Sequence, residues 1–575
     1  MDCSGAVPAQ SPGPTRAPFN WFPIVATTVS GFLALLILYP LVVVVFGVVT
    51  GKGVSDPSSD WFQVVQQPDV LKSLSDTFAI IGISAVISAI VGSVFAWLVE
   101  RTDIGMRGLS RFLPIVPLLV PAIGGAIGWV MLAAPRAGYL NHWIQLALGT
   151  FGVSLDAPLF NIFSWGGLIW VYVIYMVPQV YLTVSAALVN LDPSLEEASR
   201  VSGAGPLKTL VKVTIPAIGP SIIAGLTVAV ILGIALYSVP VIIGTQAGVN
   251  ILAVRIVNLM LTEFPPKIGA ALALGAVIAL VIGAMTLIQS RMTKAGRHST
   301  IGGKGTRAAI VNLGWLRWPA RLAIIAYIAV GTVLPFGALV IASLQRFWVA
   351  RIDVSQFTLR NYEIVFGAGT TALQGLRNSI GLAVIGACVV MLIAAISAVY
   401  TQRVKWPLLG NSLEMITKIP AMVSNLIIGI AFIAALSGPP FNLHGTIAIL
   451  ALVYLVLYMP QATITASAAL TQVGRQVEEA SLMSGASQGR TFIRITLPLM
   501  LPGLMAGWTM LFVLIAGDLT ASAMLSSTNN PVIGSTIIDL WNQGSFTPLA
   551  AFSTVVTVLM SVVVLLSMRL TRRRD

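Results

Sequence analysis

Cysteine is almost missing from this chain: Cys3 and Cys388 are the only two in 575 residues. They lie too far apart in sequence for a disulfide framework or a CxxC metal site. Histidine is nearly as rare, and His142, His298 and His444 are scattered, which suits loop or helix-end residues better than ligands. Charge is also scarce, at 9% of residues, where a soluble domain carries about 25%. With 57% hydrophobic residues and a mean hydropathy of +0.91, most of the chain must be buried in lipid. The net charge of +13 would suit nucleic acid. However, the basic residues fall in short runs between apolar segments, as the positive-inside rule produces.

What is present is a series of apolar runs, each near the roughly 20 residues that a bilayer requires. Twelve are expected, near 24–49, 77–99, 112–134, 164–190, 217–243, 268–289, 321–344, 379–399, 413–437, 446–470, 499–526 and 548–568. These are continuous runs without strand alternation, which excludes a β-barrel. The fold class is therefore an all-α polytopic membrane protein. Residues 1–20, rich in Pro, Ser and Gly, read as a disordered tail. The apolar run that follows is too long for a signal peptide and reads as a retained helix.

Lys and Arg set the orientation. Residues 290–321 hold seven of them and no acid, the C-terminal tail holds Arg569, Arg572, Arg573 and Arg574, and the short 2–3 and 8–9 loops are basic through Arg101, Arg107, Arg111, Arg403, Lys405 and Lys418. All fall on one side if both termini are cytoplasmic. The loop 345–378 resists, with Arg346, Arg351, Arg360 and Arg377 on the other side against two acids; long loops weigh less in the rule.

The chain is duplicated. Residues 171–227 and 453–509, offset by 282 without a gap, share 23 of 57 positions, where composition alone would give about four or five. Six helices per half put the two repeats in the same orientation. The divisions are a tail at 1–20, a first half at 21–289, a basic linker at 290–320, a second half at 321–568 and a basic tail at 569–575. Within each repeat a polar island interrupts the apolar pattern, at 192–216 and 474–498. In the first, Asp192 and Pro193 suit an N-cap and first helical position, Gly203 breaks the helix, Pro206 starts another, and Pro216 marks where the fifth membrane helix begins. Lys208 and Lys212, one helical turn apart, are matched by Arg490 and Arg494.

Glu197-Ala198-Ser199, Gly203 and Val213-Thr214-Ile215-Pro216 resemble the EAA loop of binding-protein-dependent ABC importer permeases. Glu479-Ala480-Ser481, Gly485 and Ile495-Thr496-Leu497-Pro498 match it again. Both copies carry Ser where the pattern has its last Ala. The resemblance implies a type I importer permease fold with two fused six-helix halves, and two copies of an ATPase subunit docked on the two islands. It implies further that Glu197 and Glu479 hold the docking geometry, that Gly203 and Gly485 form its turn, and that an external solute-binding protein delivers the cargo in a bacterial inner membrane. The fused architecture and the stretch DLTASAMLSS…PVIGSTIIDLWNQGSFTPLAA look like the ferric-iron permease group. Related permeases carry thiamine, 2-aminoethylphosphonate, polyamines or sulfate, and no iron-ligand cluster decides among them.

The chain offers no phosphate loop of its own. Gly203–Thr209 lacks the Gly before Lys208, and Gly485–Thr491 has Arg490 in place of Lys. ATP and magnesium are therefore expected on the partner subunits, with no cofactor, metal or catalytic residue here. Few ionisable residues lie within spans, which argues against a proton-coupled carrier. Asp518, near the external end of the eleventh helix, is the main exception. It either lines the translocation path or a gate, or lies near enough to the interface to stay wet. Pro178-Gln179 and Pro460-Gln461 sit mid-span, and two readings stay open: a path or hinge at the repeat interface, or a kink whose Gln bonds a neighbouring helix. A self-sufficient secondary transporter is the alternative class. It would need no ATPase, and it leaves the two islands without a purpose.

Overall fold

Lipid supplies no hydrogen-bond partners, so apolar runs of this length satisfy their backbone by coiling. The computed structural model describes residues 21–50, 66–105, 113–152, 157–264, 267–295, 310–403 and 407–572. The tail 1–20, residues 296–309 of the linker and residues 573–575 lie outside the described residues. Ten described helices are long and apolar enough to cross a membrane, and a bent pair makes an eleventh span.

In the first half these are α1 (Phe22–Thr50) and α2 (Pro68–Arg101), then the short α3 (Ala122–Ala133) and α4 (Tyr139–Gly149). Next come α5 (Trp165–Asn190), the island helix α6 (Pro193–Val201), α7 (Pro206–Ala235), the short α8 (Leu252–Leu261) and α9 (Ile268–Ala295). The second half repeats the order. It has α10 (Gly314–Leu344), a short α11 (Arg360–Phe366), α12 (Thr371–Arg403), α13 (Pro407–Met422) and α14 (Asn425–Leu436). It continues with α15 (Ile447–Thr471), the island helix α16 (Arg475–Met483), α17 (Gln488–Ala516), the short α18 (Thr520–Leu525) and α19 (Ile533–Asn542), and α20 (Phe546–Arg572).

The expected third and ninth spans are broken in the same place. A 3₁₀ stretch, Leu113–Leu119, precedes α3, and α13 meets α14 at a bend of 105°. Pro117 and Pro420 stand at matching positions just before each break, where a ring without an N–H cannot continue the ladder. The fifth and eleventh spans also differ from expectation. Each ends early, at Ala235 and Ala516, and the remaining apolar residues fold into a π turn (Pro240–Gly244) and into α18. The helices that follow are fixed alike: Leu252 N–H donates to Thr77 Oγ1 at 2.9 Å, and Ile533 N–H to Ser379 Oγ at 2.8 Å.

The halves exchange their first helices. α1 lies against α12, α13 and α14 of the second half, and Phe22 at its start meets Phe492 at 5.2 Å between ring centroids. In return α10 lies on the first half, where Tyr327 packs on Phe95 at 5.3 Å. Because α1 starts at the second island and α2 ends at the first, with two crossings between, both islands lie on one side of the membrane.

Pro178 lacks the N–H that would bond the carbonyl of Ile174, four residues back. Tyr327 Oη donates to that carbonyl at 2.8 Å instead, so the kink in α5 is completed by the opposite half. Tyr327→Phe should leave the carbonyl unpaired and lower stability by about 1–3 kcal/mol. Thermal unfolding of the full chain in lipid nanodiscs checks this, and an unchanged midpoint would refute the assignment.

Candidate functional site

Each island folds as two short helical arms around a glycine. Asp192 caps α6 by accepting from Ser194 N–H at 2.9 Å, a bond that holds its carboxyl below the ordinary value. α6 ends in a Schellman turn, with Gly203 N–H on Arg200 O and Ala204 N–H on Ser199 O. The second copy repeats it with Gly485 N–H on Leu482 O and Ala486 N–H on Ser481 O. Gly203 and Gly485 take φ of +81° and +85°, a region that costs an L-residue about 1–2 kcal/mol. The expected glycine turn is therefore present in both copies.

The arms are locked together by side chains. Ser199 and Thr209 hydroxyls meet at 3.0 Å, and Ser481 and Thr491 at 2.9 Å. The serine that departs from the EAA pattern thus has a partner, and that partner recurs at the same offset. Thr214 Oγ1 donates to Glu196 Oε1 at 2.7 Å, and Thr496 Oγ1 to Glu478 Oε1 at 3.1 Å.

The acid that anchors each turn is the one before the motif glutamate. Glu196 and Glu478 are buried, whereas Glu197 and Glu479, expected to hold the geometry, are exposed. On a helix, neighbouring positions are about 100° apart, so only one of two adjacent acids can face the bundle. Arg101, at the end of α2, places Nε 3.2 Å from Glu196 Oε2, with both side chains 3% exposed. Arg403, at the end of α12, does the same with Glu478 at 2.9 Å. Each arginine also donates to the carbonyls that close the preceding span: Leu188 (2.8 Å) and Leu191 (3.3 Å), or Leu470 (3.5 Å) and Val473 (3.0 Å). Sequence reasoning counted these arginines only as loop charge. They clasp three elements: the second, the fourth and the island helix of each half.

Pro216 and Pro498 do not start a new helix. α7 and α17 begin at Pro206 and Gln488 and run through π turns, Leu210–Thr214 and Phe492–Thr496. Ile215 N–H reaches back five residues to Leu210 O, and Leu497 N–H to Phe492 O. The wider register admits a proline directly afterwards without breaking the rod. The polar arm and the membrane span are therefore one continuous helix.

At the tip of each island the surface is apolar: Val201 and Met483, at matching positions, are both 89% exposed. Ala198 and Ala480 lie exposed on the same arms, with Ser199 and Ser481 partly covered, and Lys208, Lys212, Arg490 and Arg494 are exposed. The supports behind the tips differ. Behind the first, Val311 N–H bonds Arg101 O at 2.9 Å and Asp103 N–H bonds Val311 O at 3.1 Å, stitching the end of the linker to α2. Behind the second, the Trp21 indole lies where a Cβ at Gly489 would stand. The first copy has the exposed Leu207 at that position. A cavity of about 730 Å³ opens there, lined by Phe22, Arg475, Glu479 and Gln488 among others.

The membrane candidates are elsewhere. Asp518 is buried, accepting from Ala521 N–H (2.9 Å), Ser522 N–H (3.1 Å) and Tyr458 Oη (3.2 Å). It caps α18 rather than staying wet at the interface. Pro178 and Pro460 are buried within α5 and α15, and Gln179 and Gln461 are partly buried. Gln461 Oε1 is sealed without a hydrogen-bond partner, so that oxygen does not tie α15 to a neighbouring helix.

The described residues form a duplicated helical membrane bundle with one clasped turn per half on a common side. The chain belongs to the binding-protein-dependent transport system inner membrane component family, whose profile matches residues 19–294 and 390–574; it is a permease of the ABC importers. It is 21% identical over 506 residues to the ferric transport system permease protein FbpB of Actinobacillus pleuropneumoniae, covering 88% of this chain and 72% of that protein. It is 23% identical over 455 residues to the putative ferric transport system permease protein FbpB 1 of Haemophilus influenzae, covering 78% and 70%. The spermidine/putrescine transport system permease protein PotB of Escherichia coli is 27% identical over 208 residues, covering 36% and 71%. Among solved structures, a bacterial ABC transporter involved in import of the acidic polysaccharide alginate matches 45% of this chain and 96% of its own, at 17% identity and a TM-score of 0.37.

Arg101→Ala should destabilise the protein by about 3–5 kcal/mol, because it leaves Glu196 charged and buried alone. Arg403→Ala should cost less, since its pair is 15% and 11% exposed. Removing both partners, as Arg101→Met with Glu196→Leu, should recover much of the loss. Thermal unfolding in nanodiscs reads the cycle, and equal losses for single and double replacements would exclude the ion pair as the cause.

Proposed function

We propose that the two clasped turns face the cytoplasm and each seats one ATPase subunit, so that ATP-driven closure of those subunits moves the two halves between outward- and inward-open states. The observation that carries this is the matched pair of exposed apolar tips, Val201 and Met483, on arms that are otherwise internally bonded. An exposed apolar residue on a rigid polar arm suits a partner's pocket. The force then has a defined route: α6 to α7 through Glu196–Thr214, and to α2 and α5 through Arg101.

For the cargo we propose ferric iron delivered by an external binding protein, supported by the similarity to two ferric permeases over most of the chain. The shorter similarity to a spermidine/putrescine permease favours a polyamine as the second reading.

Val201→Asp with Met483→Asp should abolish co-purification of the ATPase while leaving the unfolding midpoint of the permease unchanged. Retained co-purification would remove the tips from the docking surface. In proteoliposomes containing the ATPase and the binding protein, ATP-dependent accumulation of ferric iron should exceed that of spermidine. The reverse ranking would replace the first cargo with the second.

A further inference from the structure

Arg346, Arg351, Arg360 and Arg377 stand where the positive-inside rule least favours them. α10 begins beside the first clasp and ends at Leu344, and α12 returns to the second clasp at Arg403. The segment between them therefore lies on the side opposite the islands. On the reading that the islands face the cytoplasm, that side is external. The fold does not impose a basic segment there, since residues 50–76 of the first half carry four Asp and two Lys.

Arg346 and Arg360 border a cleft of about 620 Å³ with Phe347, Thr358, Ser545 and Phe546 among others, and no other charged side chain lines it. Among the described residues neither guanidinium has an ion pair or a hydrogen-bond partner. The acids nearby do not compensate them. Asp353 accepts from Ser355 Oγ (2.6 Å) and Gln356 Nε2 (2.9 Å) and feels Arg351, while Glu363 and Asp539 are exposed and outside the lining. The frame around the two arginines is fixed. Thr358 N–H donates to Leu344 O (2.8 Å), Asn361 Nδ2 to Ser343 O (2.8 Å) and Gln345 O (2.7 Å), and Thr547 Oγ1 to Arg346 O (3.3 Å). Trp348 and Trp541 both pack on Phe546, at 5.4 and 5.3 Å between centroids. Thr358 Oγ1 accepts from Arg360 N–H at 3.2 Å, which leaves its own proton for a ligand. Hydroxyls serve a ligand of either sign; the two uncompensated guanidiniums, all donors and no acceptor, make the cleft one for an anion.

We propose that this cleft seats the phosphate of an anionic lipid headgroup. Its depth carries the choice of a lipid: Arg346 follows the end of one span by two residues, and Phe546 opens another. The cleft thus lies at the level where hydrocarbon gives way to headgroups. A guanidinium fork matches phosphate oxygens in pairs. Two cations with no acid between them favour a headgroup of net negative charge over a zwitterionic one. Phe347, Leu359 and Ile364 are exposed beside them, Phe347 by 78%, and such surface suits acyl chains better than water. A lipid held there joins α11 to the ends of α10 and α20. The basic segment then has a use that the first half lacks.

The test uses the full chain in phosphatidylcholine nanodiscs doped with phosphatidylglycerol whose headgroup carries a photoactivatable diazirine. Labelled peptides are read by mass spectrometry. Wild-type protein should be labelled within 346–364 and 544–548, with unlabelled phosphatidylglycerol competing and extra phosphatidylcholine not. Arg346→Gln with Arg360→Gln should lower that labelling about tenfold, with labelling elsewhere on the chain and the unfolding midpoint little changed. Glu363→Gln should leave it as in wild type. No labelling of these segments, or equal labelling of the double arginine variant, overturns the proposal. Two further results also overturn it. Competition by inorganic phosphate would give the cleft to a free anion, and lost docking of the external binding protein with lipid labelling unchanged would make it a protein-docking face. A nanodisc exposes both leaflets, so failure here leaves the assignment of the cytoplasmic face untouched.

Discussion

Inside a bilayer every backbone group that a helix leaves open must be answered by the chain itself, and this protein breaks its helices often. Several of the breaks have a named answer. The carbonyl freed by Pro178 takes the Tyr327 hydroxyl. The last carbonyls of α5 and α15 take the guanidiniums of Arg101 and Arg403. The first amides of α18 take Asp518, and those of α8 and α19 take Thr77 and Ser379. Charges enter the structure where helices end. Buried arginine in turn demands a buried acid, and Glu196 and Glu478 supply it.

The clasp has a mechanical meaning because the rod behind it does not bend freely. Pro216 and Pro498 would ordinarily mark hinges, yet the π turns absorb them and keep each arm continuous with its membrane span. A push on the island is thereby a push on α7 or α17. The two islands share this transmission but not their footing, since one rests on the end of the linker at Val311 and the other on Trp21. A fused chain can keep such a difference, because each half always meets the same neighbour.

Much of this was legible from residue order. Duplication, the all-helical membrane fold and the glycine turns follow from patterns that depend on single residues or on length, whereas twelve continuous spans were expected and ten or eleven are found among the described residues. What escaped depends on direction. Glu196 and Glu197 are adjacent and chemically identical, and only the helix phase relative to α2 separates the buried one from the exposed one. Repetition gave no help there, because both acids recur at the same offset. Thr209/Thr491 and Thr214/Thr496 also recur, and repeated polar residues so near a repeated acid were the available signal. The early ends of α7 and α17 were hidden for another reason. The residues beyond Ala235 and Ala516 are as apolar as those before, so hydropathy carries no mark of the reversal.

The exchange of first helices also sets a schedule for biogenesis. α1 leaves the ribosome by residue 50, but its main packing partners, α12 to α14, begin only at Thr371. At about 5–20 residues per second, that gap of 321 positions takes roughly 16–64 s. Throughout it α1 sits in the bilayer without the helices that finally cover most of its contact surface. Its side chains are apolar almost without interruption, so nothing on it needs a protein partner while it waits. α10 meets its first-half partners already formed. The order of synthesis thus asks more lipid tolerance of the first helix than of the seventh, which can carry Tyr327 into the membrane because Ile174 is there to receive it.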